Sequence, residues 1–163
     1  MSDTQQIISA ESKTDIDNWI AKYPPEQKQS AVMAALRIIQ DQHGGWLTAE
    51  RIEALANYLD MDKISVHEVA TFYGMYEHKP IGKHHIQVCT NISCMLRGSD
   101  DIVEHLETTL GIKMGEVTED GKYSLKEVEC LGACANAPMF QLSNDYYEDL
   151  TPEKIDQILA GLK

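Results

Sequence analysis

His85-Ile86-Gln87-Val88-Cys89-Thr90-Asn91-Ile92-Ser93-Cys94 decides how the second half of this 163-residue chain folds. Its first five residues alternate as a strand does and end on a cysteine. Ser99, followed by the acids Asp100 and Asp101, then starts a helix through Ile102, Val103, Leu106 and Leu110 that stops at Gly111. Glu116-Val117-Thr118 is the expected second strand, so that strand, helix and strand form a right-handed crossover. Asp120-Gly121 signals a hairpin turn into Tyr123-Ser-Leu-Lys-Glu-Val-Glu129, whose alternation runs straight into Cys130. Met139 to Leu142 reads as a further short strand turned by Ser143-Asn144-Asp145, and Thr151-Pro152-Glu153 caps a closing helix with Ile155, Ile158, Leu159 and Leu162 on its apolar side.

Upstream the period is helical. Thr14 is the expected cap of a short helix carrying Ile16, Trp19 and Ile20, ended by Pro24-Pro25. Those prolines open a second helix with Val32, Leu36 and Ile39, which Gly44-Gly45 stops. Thr48 starts a third, with Ile52, Leu55 and Leu59 on one face. Ser65-Val-His-Glu68 reads as the capping box of a fourth that carries Val69, Phe72, Tyr73 and Tyr76, aromatics assigned to core packing ahead of a partner-binding face. The pattern is α+β: a helical region over residues 1–80, then a βα unit, strands and a helix over residues 81–163.

All four cysteines fall into two close pairs, Cys89 with Cys94 and Cys130 with Cys134, each where an expected strand ends. Two loops carrying two sulfurs each are what a [2Fe-2S] cluster or a structural zinc requires. Zinc knuckles favour C-x2-C, and both spacings here are longer, which favours iron–sulfur. Zinc and unliganded thiols stay open on spacing alone. The plant-type C-x4-C-x2-C run is absent, and so is a thioredoxin-type C-x-x-C. Neither loop contains a histidine, which excludes a Rieske centre. Gly132 would let the backbone aim N–H groups at sulfur. His84 and His85 are assigned surface or hinge roles, while His43, His67, His78 and His105 are assigned no ligand role. Arg97 either offsets cluster charge or is solvated.

Hydrophobic residues make up 43% of the chain and charged residues 25%, a globular composition. The net charge of -12 excludes nucleic acid and fits either solubility or a basic face on a protein partner. No apolar run approaches the roughly 20 residues of a spanning helix, so no direct membrane insertion is expected. The start, Met1-Ser-Asp-Thr-Gln-Gln, resembles neither a secretory signal nor a transit peptide, and a reducing compartment makes disulfides the lesser use of the thiols. No G-x-G-x-x-G, phosphate-binding loop or Ser/His/Asp set occurs, so neither nucleotide binding nor bond chemistry by this chain alone is expected.

Ala70-Thr-Phe-Tyr73, Pro80-Ile-Gly82, Cys89-Thr-Asn-Ile-Ser-Cys94 and above all Cys130-Leu-Gly-Ala-Cys-Ala-Asn-Ala-Pro-Met139 carry a resemblance. They resemble the thioredoxin-like [2Fe-2S] ferredoxin subunits of respiratory complex I, from Gly44-Gly-Trp-Leu47 to the end. The resemblance implies a helical region on a thioredoxin-like α/β domain, with Cys89, Cys94, Cys130 and Cys134 as the ligands of one [2Fe-2S] cluster and a cis bond before Pro138. It implies an electron-transfer subunit of NADH:quinone oxidoreductase in which FMN and NADH belong to a larger partner subunit of the peripheral arm, on the cytoplasmic face of a bacterial inner membrane. Related subunits serve the diaphorase modules of NAD-reducing hydrogenases and formate dehydrogenases. A zinc-stabilised interaction module and a disulfide-forming thioredoxin relative are the readings of another class.

Overall fold

A computed structural model describes residues 7–162, which divide into two compact units between Pro80 and Ile81. The first is helical. Helix α1 (Ala10–Ile20) is capped by Ser9, whose hydroxyl accepts from the Ser12 N–H at 3.1 Å. Thr14, the expected cap, lies inside the helix and donates its hydroxyl to the Ala10 carbonyl at 3.0 Å. Ser9 stands a full turn earlier with extended backbone, and a cap forms where a polar oxygen first meets orphan N–H groups. Pro25–Ala31 is a 3-10 turn with non-helical backbone at Gln27, and α2 (Val32–Gln42) continues from it. Gly44 and Gly45 both take positive φ, which stops α2.

Thr48 caps α3 (Ala49–Leu59) as expected, accepting from the Arg51 N–H at 3.2 Å. Helix α4 (Lys63–Phe72) starts earlier than the capping box placed it. Asp60 is left-handed and Asp62 extended, and the Asp62 carbonyl accepts from the N–H groups of Ser65 and Val66. Ser65 and Glu68 are therefore helix interior. Val32, Leu36, Ile39, Ile52, Leu55, Leu59, Val66 and Ala70 meet in one apolar core. Tyr76 joins that core from beyond the helix, with its hydroxyl donating to the Met33 carbonyl at 2.8 Å. Assigning all the α4 aromatics to the core fails elsewhere: Phe72 is 79% exposed and Tyr73 37%.

The second unit is built on a four-stranded sheet of order β2-β1-β3-β4. Strand β1 (His84–Cys89) leads through a single turn of helix, α5 (Ile92–Met95), into α6 (Ser99–Leu110). Gly98, left-handed at φ 91°, takes the cap position of α6, and Ser99 is its buried first residue. The crossover closes on β2 (Tyr123–Val128), parallel to β1 with His84 opposite Tyr123 and Cys89 opposite Val128. The strand expected at Glu116–Thr118 is reduced to one bridge, Val117 to Ser124. Turns closed by the N–H groups of Glu116 and Gly121 bracket it and leave too few residues to pair. Strand β3 (Phe140–Leu142) runs antiparallel to β1, and β4 (Asp145–Tyr147), which the sequence pattern did not suggest, pairs antiparallel with β3.

Helix α7 (Pro152–Gly161) starts at its Thr151 cap and sends Ile155 into a core with Ile86, Val88, Ile102, Leu106, Leu125 and Phe140. Gly82, entering β1, is held by close approach. A Cβ there would lie 2.7 Å from both the Ser124 nitrogen and the Tyr123 carbonyl oxygen. The fold is α+β, and no helix among the described residues is long and apolar enough to cross a membrane.

Candidate metal centre

Parallel pairing is what sends the two cysteine loops out of the same end of the sheet. Because β1 and β2 point the same way with Cys89 opposite Val128, Cys89 and Cys130 leave the sheet at the same end. Strand β3 adds a third wall, since the Cys89 N–H donates to the Met139 carbonyl at 3.2 Å. Cys94 follows on α5, whose cap Asn91 accepts from the Ile92 N–H at 2.7 Å. Cys134 opens a three-residue 3-10 turn. Between them Gly132 takes φ +80° with open space around it, so left-handed backbone rather than crowding asks for glycine here.

The two pairs differ in environment. Cys89 and Cys94 are buried in an apolar cluster with Ala137 and Met139, backed by Leu131 and Ala133, whereas Cys130 and Cys134 are exposed. Burial pushes the Cys94 thiol up to about 11, helped by its hydrogen bond with Cys89 and the Cys89 charge. The Met139 N–H opposes this by stabilising the thiolate, and Cys134 acts on the same sulfur as a further negative charge. Cys94 thus interacts with one cysteine of its own loop and one of the other. The donor set is all thiol and carries a backbone N–H on one sulfur, which suits a soft thiolate-bound metal group. Among the described residues no three His, Cys, Asp or Glu side chains are close enough together to clasp a single ion.

The histidines lie away from these loops. His85 is not at the surface: it is buried in β1, with Nδ1 2.8 Å from the Ser124 hydroxyl. It lies on the face of β1 opposite the core residues Ile86 and Val88, and it is buried because this inner strand is covered on both faces, which a reading of His84-His85 as surface or hinge missed. His84 lies against the Tyr123 ring, His105 pairs with Asp156 at 2.8 Å, and His43 and His78 reach the carbonyls of Ile7 and Ala70. His67 is exposed.

Sequence reasoning missed two supports and assigned a third, Arg97, to cluster charge or solvent. Tyr146 on β4 donates its hydroxyl to the Leu131 carbonyl at 2.8 Å. Thr90 donates to the Glu127 carboxylate at 2.6 Å. The Arg97 guanidinium donates to the carbonyls of Ala135 and Ala137. The first two depend on β2 and β4 register and left no local signal. The Ala137–Pro138 bond is cis, as the resemblance implied.

The chain matches the family described as thioredoxin-like [2Fe-2S] ferredoxin over residues 16–163. It is 56% identical over 144 residues to an NADH-quinone oxidoreductase subunit from Rickettsia bellii, covering 88% of this chain and 86% of that one. It is 41% identical over 156 residues to the mitochondrial NADH dehydrogenase (ubiquinone) flavoprotein 2 of Dictyostelium discoideum, covering 96% of this chain and 63% of the relative. Among solved structures, an air-oxidised NAD+-reducing [NiFe]-hydrogenase chain shares the fold at TM-score 0.66 and 19% identity, over 78% of this chain and 22% of the hydrogenase chain.

Proposed function

The chain belongs to the thioredoxin-like [2Fe-2S] ferredoxin family, and from that premise we propose that it is the electron-transfer subunit of an NADH:quinone oxidoreductase, with Cys89, Cys94, Cys130 and Cys134 holding one [2Fe-2S] cluster. The observation that carries the ligand assignment is the parallel register of β1 and β2, which sends both cysteine loops out of one end of the sheet. Bound there, the cluster supplies one-electron redox chemistry.

The chain's own residues do the rest. The apolar wall of Ala137, Met139 and Leu131 keeps water from the Cys89 and Cys94 sulfurs. The Met139 N–H favours the thiolate of Cys94. Exposure of Cys130 and Cys134 leaves the other side of the centre open toward a donor. Beside Cys94, the side chains of Ile92, Met95 and Leu96 are exposed, with Leu96 at 77%, and offer apolar area to a docking subunit. FMN and NADH reside on that partner, the flavin- and NADH-binding subunit of the peripheral arm. The chain is not catalytic alone, and its attachment to the cytoplasmic face of a bacterial inner membrane runs through its partners.

Electron paramagnetic resonance of the full-length chain tests the ligand set. A signal is expected only after reduction, and Cys94→Ser is expected to lose it while keeping the helical circular dichroism of the first unit. An unchanged signal in Cys94→Ser would remove Cys94 from the ligands.

A further inference from the structure

We propose that Arg97 is a positioning residue that ties the two cysteine loops together, fixing the segment after Cys134 against the segment after Cys94 before any metal is bound. The proposal rests on the reading of the four cysteines as ligands. Arg97 is anchored at its own end, since its backbone N–H donates to the Cys94 carbonyl at 3.1 Å. At the other end its guanidinium Nη1 donates to the Ala135 carbonyl at 2.6 Å and the Ala137 carbonyl at 3.3 Å. Ala135 is the residue after Cys134 and Ala137 the residue before the cis Pro138. One side chain therefore spans from the peptide of a buried cysteine to the peptides just beyond an exposed one.

The receiving loop needs such a tie. Cys134 lies in a three-residue 3-10 turn with no side-chain cap. The turn's other backbone bonds are local or run toward β4 and α7: Asn136 N–H to the Ala133 carbonyl at 3.1 Å, and Asp149 N–H to the Asn136 carbonyl at 2.7 Å. Neither runs to the Cys94 loop, which this segment otherwise reaches through the Met139 N–H, five residues beyond Cys134. A planar guanidinium donating from a charged group to two carbonyls gives a short, directional and charge-assisted link. Lysine could offer the charge without the rigid plane.

Two readouts on the full-length chain test this. In anaerobically reconstituted protein, wild type should carry about two irons per chain. Arg97→Ala should lose them to a chelator faster, by up to roughly the 10- to 100-fold that removing an outer-shell support of a ligand costs in metal affinity. Arg97→Lys should fall between the two. In metal-free protein, amide exchange at Asn136 and Asp149 should quicken in Arg97→Ala while α6 is unchanged. Equal chelator loss in wild type and Arg97→Ala would overturn the proposal, and so would faster loss with unchanged exchange in the metal-free chain. A wild type that binds no iron would instead overturn the ligand reading on which the proposal rests.

Discussion

At the scale of single residues, the chain separates positions held by chemistry from positions held by space. Gly82 belongs to the second kind. A methyl group there would press on the backbone of Tyr123 and Ser124, which cannot swing aside without breaking the parallel ladder. Gly82→Ala should therefore lower stability by about 1–3 kcal/mol, the range of overpacked sites. Urea unfolding of the metal-free chain would measure it, and an unchanged midpoint would refute the steric account. Phe72 is the opposite case. Its ring is largely outside the core, so Phe72→Ser should change stability by no more than about 0.5 kcal/mol, whereas Leu55→Ala in the same unit should cost about 2–5 kcal/mol.

At the scale of elements, the tyrosines of the helical unit make a pH prediction. Burial pushes the Tyr76 hydroxyl up to about 12 from its ordinary 10.0. Tyr58 is also pushed to about 12, by burial and then by its hydrogen bond to Asp17 and that residue's charge. The folded state keeps both protons to higher pH than the unfolded state does. Their stabilisation is thus whole below pH 10 and is lost as pH climbs through 12. Ultraviolet titration should find Tyr58 and Tyr76 ionising late, and Tyr76→Phe should remove one of those late steps. Loss of no late step in Tyr76→Phe, with the protein still folded, would contradict it.

The same scale explains what could be read in advance. Strand β1, α6 and the Thr48 and Thr151 caps were legible because each rests on local chemistry: alternation, spacing and a capping oxygen. Ser65-x-x-Glu68 misled because the turn at Asp60 and Asp62 started α4 upstream of it. Strand β4, only three residues long, and the choice of β2 rather than Glu116–Thr118 as the parallel partner of β1 depend on long-range pairing, for which local sequence gives no signal. Of the candidate site, the two cysteine pairs could be read from spacing, while the hydrogen bonds of Tyr146 and Arg97 required knowing which loops meet.

For the whole molecule, charge and cofactor dominate. A net charge of -12 should draw the chain to a basic face on its flavin-bearing partner, so their association should weaken as salt rises from about 0.05 to 0.5 M. Insensitivity to salt in a sedimentation or pull-down assay would show that apolar contact alone holds the pair. Everything proposed for the site depends on the four thiols holding two irons rather than one zinc. The iron, acid-labile sulfide and zinc content of anaerobically prepared full-length protein, read with its visible spectrum, decides between them. About two irons and two sulfides per chain and a reddish protein are expected; one zinc with no iron and no visible absorption would contradict the assignment.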